Sequence, residues 1–121
     1  METGSLIVKE TYDGADFRRL IESDGWSVAF LRRSERFATF GMLERHLETE
    51  EVFVLLSGSA TLYATETEDA EPVSEKMKPL TVYCIPRGVW HHITVSEDAS
   101  VLVVENRNTS KENTEKRCLS C

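Results

Sequence analysis

Basic residues, cysteine and histidine are all scarce in this chain of 121 amino acids, and long apolar runs are missing altogether. No stretch approaches the roughly 20 apolar residues that span a bilayer, and Met1 to Glu10 has neither a basic start nor a long apolar core. A cytoplasmic protein with no membrane partner is expected. Lys and Arg total 14 against 21 Asp and Glu, a net charge of -7, so no nucleic-acid partner is expected either, because phosphate binding relies on clustered cations. Of three cysteines, Cys84 lies inside an apolar run and Cys118 and Cys121 close the chain, a usage that fits a reducing compartment. The terminal C-x-x-C lacks the second ligand pair of a zinc site and is set aside.

What is present is one domain's worth of short apolar runs, spaced about ten residues apart by turn residues, the pattern of an all-β barrel or sandwich. Residues 1–36 are expected to hold an N-terminal strand at Leu6 to Val8, a short helix after Asp16 carrying Phe17, Leu20 and Ile21, and a barrel strand from Trp26 to Leu31. Residues 37–105 form the barrel, with strands at Phe37 to Leu43, Val52 to Leu56, Ala60 to Ala64 and Leu80 to Ile85. Hairpins are expected across Ser57-Gly58-Ser59 and across Ser96 to Asp98. Thr65 to Lys78 reads as a solvated acidic loop, and 106–121 as a polar arm or tail. Val52 to Leu56 and Val101 to Val104 are apolar at every position, so both of their faces must be covered. A second copy of the chain is the simplest cover, and a homodimer is expected.

The histidines occupy two places, His46 before one apolar strand and the pair His91-His92 after Pro86-Arg87-Gly88. Alternation puts His46 and Glu48 on one face, and Glu51 enters the next strand in phase with Phe53 and Leu55. Two carboxylates and an imidazole pointing into an apolar barrel need a compensating charge. A divalent cation supplies it, with His91 as a fourth ligand. Two imidazoles with two carboxylates suit Fe, Mn, Zn, Ni or Cu, and affinity alone does not choose among them. His92 faces the other way, and Glu44 and Glu50 read as plain solvated charge.

These residues resemble the two motifs of the cupin superfamily. The first, Gly, five residues, His-x-His, three or four residues, Glu, six residues, Gly, is matched in order by Gly41, His46, Glu51 and Gly58, with Glu48 where the family has its second His. The second is matched at its centre by Pro86-Arg87-Gly88-Val89-Trp90-His91, with Leu80 in place of its opening Gly and Val95 in place of its closing Asn. The resemblance spans about Phe37 to Glu105. It implies a single-domain jelly-roll β-barrel, and its metal ligands fall on His46, Glu51 and His91.

Phe40, Phe53, Tyr63, Tyr83 and Trp90 are candidates for the wall of a substrate cavity, and Arg87 for gripping an anion at its mouth. The function expected is a metal-binding cupin that binds or transforms a small polar metabolite, with isomerase, lyase, hydrolase and oxygenase chemistry all open. Val89 to Glu105 is also similar to metal-free cupin isomerases of nucleotide sugars, so acid/base chemistry on a sugar or keto acid is the alternative. A non-catalytic small-ligand binding protein is the third reading.

Overall fold

The structure is a computed structural model, and it describes residues 6–119. Ten strands form two five-stranded antiparallel sheets. In chain order they are β1 (Asp16–Glu22), β2 (Ser27–Arg32), β3 (Met42–His46), β4 (Glu51–Ser57), β5 (Ala60–Thr65), β6 (Val73–Lys76), β7 (Val82–Ile85), β8 (Trp90–Val95), β9 (Ser100–Glu105) and β10 (Thr114–Cys118). One sheet, called A below, runs β1-β2-β9-β4-β7, and sheet B runs β10-β3-β8-β5-β6. Burial follows period 2, as strands with one inward face require. Ala29, Leu31, Phe53, Leu55, Val101 and Val103 of sheet A are each at most 2% exposed. They close on Ala60, Leu62, Ile93 and Val95 of sheet B.

Several sequence expectations change here. The stretch after Asp16 is strand β1, not a helix, because Phe17 and Leu31 pair across β1 and β2 and sheet pairing overrides weak helical periodicity. Among the described residues the one α-helical turn lies instead at Glu35–Ala38, where Phe37 is buried. Leu6 to Val8 is not in a strand, and Leu6 and Ile7 are exposed. The acidic segment contains an edge strand, β6, paired with β5. The segment after Asn106, expected as an arm or tail, contributes a 3-10 turn at Lys111–Asn113 and strand β10, which pairs with β3 from Thr114 opposite His46 to Cys118 opposite Met42. Its residues are polar because β10 is an edge strand. Cys121 lies outside the described residues.

Neither expected hairpin is a hairpin. β4 belongs to sheet A and β5 to sheet B, and the same holds for β9 and β8, so each connection is a corner where the chain changes sheets. The two corners pack together: Ser96 N donates to Ser59 O at 2.9 Å and Ser59 N to Ser96 Oγ at 3.0 Å. Gly58 sits between them with φ +73°, and a Cβ there would lie 2.5 Å from Ala99 Cα. Gly88, after Pro86, has φ +80° but open space around it. Gly58→Ala therefore combines backbone strain with a backbone clash, whereas Gly88→Ala suffers strain alone, about 1–2 kcal/mol. Urea unfolding of the two variants is expected to show Gly58→Ala as the more damaging, and equal losses would contradict the corner packing.

Candidate metal-binding site

The connections between sheets place the ionisable groups. β3 ends at His46 in sheet B, the chain turns through 47–50, and β4 begins at Glu51 in sheet A, so His46 and Glu51 face each other across the barrel. His91 on β8 pairs directly with Glu44 on β3, and Glu105 on β9 pairs directly with Glu51 on β4. Two cross-strand pairs thus meet at one end of the interior. The turn that precedes β8 is tied to the same place by Gly88 N donating to His46 O at 2.8 Å.

Glu51 Oε1 lies 3.1 Å from His46 Nε2 and 3.1 Å from His91 Nε2, and all three residues are buried. His91 Nδ1 donates to the Val89 carbonyl at 3.1 Å, and His46 Nδ1 meets Thr114 Oγ1 at 2.9 Å. With its proton on Nδ1, a neutral His91 presents only a lone pair at Nε2, and that lone pair faces a carboxylate oxygen. The contact is favourable only when a proton or a cation lies between. Burial alone would raise the Glu51 carboxyl, but the His46 and His91 hydrogen bonds and charges outweigh it and hold it down to about 2. Burial likewise opposes charge on His91, yet the Glu51 hydrogen bond and charge, helped by the Val89 carbonyl, raise it above its ordinary value. Glu105 is pushed up to about 7 by burial and by the charge of Glu51 beside it, although Arg19 Nη2 bonds its Oε1 at 2.7 Å.

Of the expected ligands, His46, Glu51 and His91 come together and Glu48 does not. Glu48 is exposed in the bend that follows β3, where strand alternation has already ended. Glu44, read as solvated charge, lies near the histidines instead: its Oε1 is 3.8 Å from His46 Nε2. The ligand atoms of Glu44, His46 and His91 lie within 4.8 Å of one another, as do those of His46, Glu51 and Glu105. The signal for Glu44 was in the spacing. Four residues separate His46 from Glu51, the number that follows the second His of the first cupin motif, so Glu44 stands at the first. Glu105 was legible as well, being in phase with the inward-facing Val101 and Val103. The donor set fits a divalent ion, since both Nδ1 atoms are engaged elsewhere and both Nε2 atoms converge with carboxylate oxygens.

The site opens into a cavity of about 730 Å³. Phe53 lines it as expected, together with Phe17, Leu31, Phe37 and Ile93, which sequence reasoning missed. The other candidates lie elsewhere. Tyr63 pairs with His92, and Trp90 with Thr65, on the side of sheet B opposite His91, where Phe40 stacks on Tyr63 and Arg45 lies over Trp90. Tyr83 packs against the core and accepts a bond from Lys78 N, and Arg87 is exposed beside Glu50. His92, on that outer side, donates to the Thr39 carbonyl at 3.2 Å and also reaches the cavity rim.

No protein-family model matches the chain, and no curated protein does. Solved structures do match. BH2720 from Bacillus halodurans is 17% identical with a TM-score of 0.66, the match covering 86% of this chain and 83% of that one. KdgF from Halomonas sp. is 11% identical, TM-score 0.58, with 86% and 88% covered. A mutant of oxalate decarboxylase from Bacillus subtilis is 14% identical, TM-score 0.57, with 92% of this chain matching 30% of that longer one. These neighbours are cupin-type proteins, and the chain has the cupin fold. Among the described residues no helix is long and apolar enough to cross a membrane.

The pKa directions fix a pH dependence for metal-free protein. The raised His91 stabilises the fold below its unfolded value of 6.5, a contribution lost as pH rises through the folded value. Glu105, moved from 4.5 up to about 7, makes ionisation unfavourable over the same rise. Two groups act oppositely: the Glu51 contribution fades only as pH falls from 4.5 toward about 2, and His92, lowered by burial, is one half-buried group set against both His91 and Glu105. Metal-stripped protein is therefore expected to melt at a higher temperature near about pH 6 than near about pH 8. Scanning calorimetry checks this, and the reverse order would contradict the arrangement.

Proposed function

We propose that the chain is a metal-binding cupin that binds or transforms a small polar metabolite at a divalent ion held by His46, His91, Glu51 and Glu44. The observation that carries this reading is the convergence of two imidazole Nε2 atoms on one buried carboxylate oxygen, each at 3.1 Å. Fe, Mn, Zn and Ni all suit such donors. A bound ion would polarise a ligand carbonyl or activate water. The chain's own residues do the rest. Val89 O and Thr114 Oγ1 fix the imidazole rings, Arg19 holds Glu105 in place, and Phe53 and Ile93 keep bulk water from one side of the site.

Elemental analysis of protein purified without chelator is expected to find near-stoichiometric metal. Glu44→Gln should weaken metal retention against a competing chelator by about tenfold or more, while Glu48→Gln leaves it unchanged. Metal-free protein that cannot be loaded would overturn the reading and favour acid/base chemistry through the proton-bridged Glu51, His46 and His91.

A second copy is proposed to cover the outer side of sheet A. There Val28, Val104 and Val52 form one cross-strand row and Phe30, Leu102, Val54 and Val82 another, an apolar face on strands whose other side is the core. Sedimentation should give twice the chain mass of 13.7 kDa. Val54→Lys should halve it, and a monomeric native protein at micromolar concentration would refute the assignment.

A further inference from the structure

We propose that the cavity takes an organic carboxylate with an apolar body, its anionic head held by Lys111 and Lys116. The chain as a whole is acidic, with a net charge of -7, yet the cavity reverses that balance. Four of the 14 basic residues line it, Arg19, Arg36, Lys111 and Lys116, against three of the 21 acidic ones, Glu44, Glu51 and Glu105. A bound divalent ion would make the excess larger. An excess of one sign of charge around a cleft attracts ligands of the other sign.

The four cations differ in what they are free to do. Arg19 bonds Glu105 at 2.7 Å and the Thr109 carbonyl at 3.0 Å, and Arg36 bonds Asp16 at 2.8 Å, so both guanidiniums are committed. Among the described residues no carboxylate lies within 4.0 Å of the Lys111 or Lys116 ammonium. Lys116 is directly opposite Glu44 in the pairing of β10 with β3, and it shares the inward side of β10 with Thr114, which touches His46. Lys116, exposed at the outer edge, therefore lines the same cavity as the histidine cluster with no carboxylate paired to it. Two ammonium point charges hold an anionic head of either kind, and it is the apolar wall around them that favours a carboxylate over the more strongly hydrated phosphate. Beside the histidines and Ser110 the wall holds Thr109 and Thr114, whose hydroxyls are engaged by Thr49 and His46, and the apolar Phe17, Leu31, Phe37, Phe53 and Ile93, which favour an apolar body over a hydroxyl-rich one.

This inference deepens the reading of the site given above, and its test separates the two. Phenylacetate, its neutral isostere phenylacetamide, acetate and inorganic phosphate are titrated calorimetrically into metal-loaded and metal-stripped full-length protein. Phenylacetate is expected to bind about tenfold or more tightly than each of the other three. In the Lys111→Gln, Lys116→Gln double variant its affinity should fall to that of the amide. Equal binding of acid and amide, equal binding of acetate or phosphate, an unaffected double variant, or no binding of any probe would each overturn the proposal. A preference for phenylacetate that survives in protein unable to hold metal would sink the metal reading alone.

Discussion

One buried carboxylate oxygen shared by two imidazoles is the constraint around which this barrel is arranged. Glu51 Oε1 cannot be 3.1 Å from His46 Nε2 and 3.1 Å from His91 Nε2 without positive charge at the junction, because His91 has already given its Nδ1 proton to the Val89 carbonyl. Leaving a charge unpaired in such a place is among the costliest errors a small domain can make. The chain answers with geometry. His46 ends one strand, Glu51 begins the strand facing it, and the Pro86-Arg87-Gly88 turn that delivers His91 is fastened to the His46 carbonyl.

The sheet-changing corners serve the same end from the far side of the barrel. By sending β4 and β9 to one sheet and β5 and β8 to the other, they set Glu51 and Glu105 side by side against Glu44 and His91. Like charges directly opposite on neighbouring strands repel, and Arg19 reaches from β1 to Glu105 to relieve it. The barrel end is consequently polar and open to the cavity, while the end held by Gly58 and Ala99 is packed shut.

The barrel itself was legible in the sequence because inward positions repeat every second residue, and in Val101, Val103 and Glu105 that phase persists to the last residue of the strand. The two ends of the cluster were legible from motif spacing. Parity groups Glu44 with Glu48, and only the end of β3 at His46 tells their positions apart. β10 escaped notice because a polar edge strand carries no apolar alternation, although it supplies Thr114 and Lys116 to the site. The corners read as hairpins because a glycine turn between two strands looks alike locally whether or not those strands pair. The cavity wall could not be separated from core in one dimension: Phe53 lines it, while Tyr63 and Trp90, equally aromatic and equally strand-borne, face outward.

Convergence of two histidines and carboxylates of this barrel end on a single ion is read out by X-ray absorption at the zinc edge of protein loaded with one equivalent of Zn(II). Multiple scattering from two imidazole rings is expected, with nitrogen and oxygen neighbours at about 2.0–2.2 Å and no sulfur shell. A spectrum with one imidazole or none, or with sulfur in the first shell, would contradict it.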